Sequence, residues 1–171
     1  MAAAEGPIDI GYLATMVHVV TGLIARSAVL EAFSREHSLH QAVALVGDLA
    51  ILPLREIDLG SFGPAPSNDE AKGLQSLSKQ LMDELRRSSH RGPLMYFETE
   101  YFGGLGGQGA AVFRDGELIF GPHWATTIGP INQALKLLGI GVEPPARDEF
   151  ETVGLHLHRY TDGWLTKPAP S

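Results

Sequence analysis

The residues best placed to do chemistry are two glutamates, Glu98 and Glu100, inside the run Leu94-Met95-Tyr96-Phe97-Glu98-Thr99-Glu100-Tyr101-Phe102. In a strand the side chains alternate, so Tyr96, Glu98, Glu100 and Phe102 share one side, and Met95, Phe97, Thr99 and Tyr101 share the other. Carboxylates about 7 Å apart on one sheet face can hold a metal or divide into a general acid and a general base. Flanked by rings, they can instead select a basic partner, or simply be solvated. Neither glutamate has a catalytic companion nearby in sequence, so a contact face is preferred to a catalytic one.

Other motifs tempt and then weaken. Gly104-Leu105-Gly106-Gly107-Gln108-Gly109 has the letters of a dinucleotide fingerprint and follows a strand. The phosphate site also needs a helix N-terminus, yet Ala110–Phe113 runs only four residues before the Asp115-Gly116 turn. Four glycines, Gly103, Gly104, Gly106 and Gly107, better suit a sharp hairpin or bulge. His156-x-His158 and His37-x-x-His40 have spacings that metal ligands use, but neither belongs to an H-E-x-x-H pattern. His156 and His158 are kept as metal candidates, with hydrogen-bonded structural histidine the simpler reading. Ser88-Ser89-His90 has no G-x-S-x-G elbow to support a hydrolase triad.

The elements that must position these residues follow from periodicity. β-Branched residues between Tyr12 and Ile24 predict a first strand, and Ser27 is placed to cap a helix over 28–37. Gly47-Asp48 predicts a hairpin between Ala42–Val46 and Leu49–Leu54, and residues 60–68 read as a loop. Ser67 and Glu70 have capping-box spacing before Leu74, Leu77, Leu81 and Leu85, which predicts a helix over 69–88. Strands follow at 94–102, 108–113 and 117–120, then a helix starting at Pro130 and stopped by Gly139. Residues 153–160 read as a last strand or irregular cover. The expected fold is a single α+β domain, 1–171, with a mainly antiparallel sheet, about three helices packed on it, and frayed ends at 1–10 and 166–171.

Composition narrows the function. The chain has 171 residues, no cysteine and a formal charge of −7, with 13 Lys and Arg against 20 Asp and Glu. Thiolate metal sites, iron–sulfur clusters, disulfides and cysteine nucleophiles are excluded, and a reducing, cytoplasmic setting fits. No basic stripe exists for nucleic acid, and the longest apolar stretch is too short to span a bilayer. Excess negative charge favours encounter with a basic protein.

The words Tyr96-Phe97-Glu98-Thr99-Glu100-Tyr101-Phe102-Gly103-Gly104, Gln108, Gly129–Leu135, Asp148-Glu149-Phe150 and Val153-Gly154-Leu155 resemble a family of small uncharacterised bacterial proteins. In general build the chain is also similar to immunity proteins of bacterial toxin systems. The acidic, ring-bearing face and the excess negative charge, with that likeness in build, point to a cytoplasmic protein-binding module without cofactor, most concretely one that neutralises a toxin. Its contact face is expected at Tyr96, Glu98, Glu100, Phe102, Gly103, Gly104 and Gln108. The alternatives are a small metal- or carboxylate-dependent hydrolase joining Glu98 and Glu100 to a histidine, and a homo-oligomer formed by an exposed sheet edge.

Overall fold

The structure is a computed structural model that describes residues 17–67, 71–103, 105–127 and 129–165. Its centre is one sheet in the order β2-β3-β1-β4-β5-β6, with every neighbouring pair antiparallel. The strands are β1 (His18–Arg26), β2 (Val43–Ala44), β3 (Leu49–Pro53), β4 (Leu94–Phe102), β5 (Leu105–Arg114) and β6 (Glu117–Ala125). The helices are α1 (Ser27–Glu36), α2 (Glu56–Gly60), α3 (Lys79–Ser88), α4 (Pro130–Leu137), α5 (Glu149–Thr152) and α6 (Thr161–Leu165). The α+β expectation holds. No described helix is long and apolar enough to cross a membrane. Residues 1–10 and 166–171 lie outside the described residues.

Both faces of the sheet are covered, because alternate residues of the central strands are apolar on both sides. Leu23, Ala25, Leu94, Tyr96, Ala111 and Phe113 join α1 and α3 in one core, through Leu30, Phe33, Leu81 and Leu85. Val20, Ile24, Met95, Phe97, Ala110 and Val112 join Ile131, Leu135, Phe150 and Trp164 in the other. We call these the first and second faces. A strand buried on both sides cannot show the clean apolar–polar alternation of a half-exposed sheet.

The predicted hairpin around Gly47-Asp48 is present, with Gly47 at φ +62°. Helix α4 starts at Pro130 and ends before Gly139, which takes φ +92° as its C′ residue. The helix predicted over 69–88 is shorter. It starts at Lys79, and Ser78 caps it by accepting from the Leu81 N–H at 3.1 Å. Lys72 and Gly73 have φ of +52° and +98°, which no α-helix accommodates, so 72–77 is irregular. The proposed cap partner Glu70 lies outside the described residues. Of the two readings of 153–160 the structure has the irregular cover, a 3-10 turn at Leu155–Leu157 with a single bridge from Tyr160 to Val19, and β6 extends to Ala125.

The glycine motif is a packing floor. Trp124 of β6 lies across Gly107 and Gly109 of β5, with Leu74 above. A Cβ on Gly109 would stand 2.0 Å from Leu74 Cδ2 and 2.9 Å from Trp124 Cε3. Gly109→Val is therefore expected to destabilise the protein by about 1–3 kcal/mol through overpacking. Gly141→Ala, which meets no atom within 4 Å, should stay within about 0.5 kcal/mol of the parent, and urea titration of both variants checks this.

Candidate functional site

The sheet brings Glu98 and Glu100 onto the first face as expected, but it does not leave both in water. Glu98 is only 5% exposed. Residues 71–77 cross over it and turn their backbone toward it. The Gln75 N–H donates to Glu98 Oε1 at 2.8 Å and the Ser76 N–H to Oε2 at 2.7 Å. The Tyr96 hydroxyl also donates to Oε2. Glu100, half-buried, accepts from Gln75 Nε2 at 3.0 Å. The neighbours opposite on β5 are Gly109 for Glu98 and Gly107 for Glu100, so the room over the carboxylates belongs to Trp124, Leu74 and the crossing segment.

Burial pushes the Glu98 carboxyl above the usual carboxylate range, against the pull of its three donors, and Glu100 adds a smaller push. Burial, and then the Glu98 charge, raise the Tyr96 hydroxyl well above its ordinary value. An acid buried beneath a covering segment, with protein donors on both of its oxygens, is a staple in the fold.

The contact face expected from the sequence is therefore corrected in part. Tyr96 and Glu98 are buried on the first face, sealed by residues 71–77. Gln108 is buried as well and belongs to the second face, one strand position out of phase with Gly107 and Gly109. There its Oε1 accepts from the Ile131 N–H at 2.9 Å and its Nε2 donates to the Tyr101 hydroxyl at 3.2 Å. It thus caps α4. Phe102, Gly103 and part of Glu100 do reach the surface, and Gly104 lies outside the described residues.

Nor does the sheet bring Glu98 to a histidine. His156 sits in the 3-10 turn and His158 just after it, on no common strand face. The His158 ring packs edge-on to Trp164 of the second core, 4.5 Å between centroids. The sheet lies between that core and Glu98. Among the described residues no three of His, Asp and Glu gather to hold a metal ion.

A polar group that sequence reasoning missed is the buried pair His18 and Thr99 on the second face. His18 Nε2–H donates to the Leu155 carbonyl at 3.0 Å, which leaves Nδ1 to accept from the Thr99 hydroxyl at 2.7 Å. Thr99 Oγ1 accepts in turn from the Val20 N–H at 3.0 Å. Burial lowers the His18 pKa, which favours the neutral ring. The arrangement has the connectivity of a base and a hydroxyl nucleophile, but both side chains are sealed in the core. Only the pairing of β1 with β4 reveals it, because 81 residues separate the two.

The two buried groups set opposite pH slopes. A raised acid pKa stabilises the fold below the ordinary carboxylate value of about 4.3 and loses that contribution as pH rises through the folded value. A lowered histidine pKa stabilises above about 6.5 and loses its contribution as pH falls below that. Glu98→Gln, which cannot accept on both atoms from three donors, should cost about 1–3 kcal/mol at neutral pH. Relative to that variant, the parent should lose stability between acid and neutral pH. His18→Gln can still donate to Leu155 and accept from Thr99 without titrating, so it should lose less stability than the parent on acidification below pH about 6.5. Denaturant midpoints measured across pH check both.

No family model matches the chain, and neither the curated proteins nor the solved structures contain a match to it.

Proposed function

We propose that the chain is a non-catalytic cytoplasmic binding module whose contact site is the turn end of the β4–β5 hairpin. In its most concrete form it is an immunity-type protein that neutralises a toxin by covering it. The observation that carries this reading is a pair of cross-strand neighbours. Phe102 and Leu105 face each other on the first face, 52% and 78% exposed, at the end of strands that are otherwise buried over most of their length. An exposed ring beside an apolar cross-strand neighbour offers area that a partner can bury, and Glu100 beside them supplies a negative rim.

The acidic balance of the chain supports a basic partner, because opposite charge speeds encounter and lends it salt dependence. The hydrolase alternative gains nothing from the geometry, since Glu98 is occupied and the sheet stands between it and the second-face histidines.

A photo-crosslinking side chain at position 105 should capture a protein in the native host, whereas the same group at Ile57, exposed on α2, should not. With the captured protein purified, Phe102→Ala and Leu105→Asp should each weaken binding by about tenfold or more while leaving the unfolding midpoint unchanged. Added salt should slow association. Capture at both positions alike, or full affinity in both variants, would overturn the reading.

A further inference from the structure

At the end of the sheet away from that hairpin lies a cleft of about 570 Å³, between the β2–β3 turn, the end of β1 and the chain that follows α4. Its size falls within the range of small-ligand sites. Leu49, Pro93, Leu138 and Ile140 give it apolar walls. Its charged groups are Arg26, Asp48 and Glu143. Arg26 Nε lies 3.4 Å from Asp48 Oδ2, so the one guanidinium of the lining is already engaged by a carboxylate. Glu143, by contrast, is exposed and pairs with no cationic side chain among the described residues. Leu138 and Gly139 bring the C-terminal end of α4 to the wall, where the helix dipole is negative. The mouth is kept open by Gly47, Gly139 and Gly141, none of which has an atom within 4 Å of where a Cβ would stand.

The charged lining is one guanidinium against two carboxylates, so the cleft favours a cation over an anion, and a purely apolar molecule would leave the Glu143 carboxylate unanswered. We infer that the cleft binds an organic ammonium ion, its charge against Glu143 and its alkyl body against Leu49, Leu138 and Ile140. A free amine and the lysine side chain of a peptide share that chemistry. The inference does not rest on the hairpin contact, which is at the other end of the strands.

Titration of the amide spectrum of the isotope-labelled protein tests it, with hexylammonium, 1-hexanol, hexanoate and N-acetyl-lysine methylamide as probes. Hexylammonium should shift the amides of Gly47, Gly139 and Gly141 to saturation, and hexanol and hexanoate should bind more weakly. Glu143→Gln should weaken hexylammonium by about threefold, the value of one exposed ion pair, and leave hexanol unchanged. Arg26→Gln frees Asp48 and should strengthen the ammonium probe. Gly141→Trp has an ordinary backbone conformation and open space, and should abolish binding by filling the cleft. The lysine derivative binding as tightly as hexylammonium assigns the site to a peptide side chain, and hexylammonium binding alone assigns it to a free amine. Absence of saturable shifts, hexanoate binding equal to hexylammonium, or an unchanged affinity in Glu143→Gln would overturn the inference.

Discussion

A carboxylate placed in the middle of a two-sided sheet must be neutralised or surrounded by donors, and much of the first face is arranged by how this protein does it. Glu98 draws in the backbone of Gln75 and Ser76 and the hydroxyl of Tyr96. Two peptide N–H groups that point down at a sheet cannot also be running along a helix axis. The leucine repeat through Leu74 and Leu77 accordingly stays in the core without being helical, and the helix is postponed to Ser78. Because the crossing segment needs height above β5, the positions opposite the glutamates are glycines, and Trp124 fills the space they leave. One buried charge, one broken helix and one glycine-rich strand are thus a single packing solution.

The second face uses neutral polar groups for a similar purpose. His18, Thr99 and the Leu155 carbonyl form a short chain that ties β1 and β4 to the turn after α5. Gln108 ties β5 to the start of α4 while holding the Tyr101 hydroxyl. Each bond satisfies a donor or acceptor that burial would otherwise penalise by about 1–3 kcal/mol. The covering elements here are short and would fold poorly alone. Their attachment depends on side chains from the sheet reaching up to their exposed backbone groups.

This explains which parts were legible in the sequence. Strand β4, the Gly47-Asp48 hairpin and α4 are specified locally, by alternation, by a turn pair and by Pro130 with Gly139, and they stand where the sequence places them. A helix over 69–88 overreaches because an apolar three-and-four repeat records burial and not hydrogen bonding; Gly73, inside it, is the visible warning. The phase of Gln108 was missed for a different reason. Counting from the glycine motif treats Gly103–Gly107 as a flexible link, whereas β5 already starts at Leu105, and that start sets which side each later residue faces. The His18–Thr99 pair, formed between distant segments, leaves no local signal at all.

What remains available for recognition is decided by elimination along the sheet. Both faces are covered, and both edges are poor templates for another strand. Strand β2 has only two residues, and β6 carries Pro122, which has no N–H to offer, beside Gly121 at φ +76° where the pairing register shifts. Self-pairing through an edge would have to begin on such ground. The ends of the strands are different, because there the side chains need no longer match a neighbouring layer. At one end Phe102 and Leu105 project beyond the cover, and at the other the apolar walls around Ile140 are left open beside Glu143. With its buried carboxylate committed to its own architecture, the fold leaves apolar side chains uncovered at these two ends.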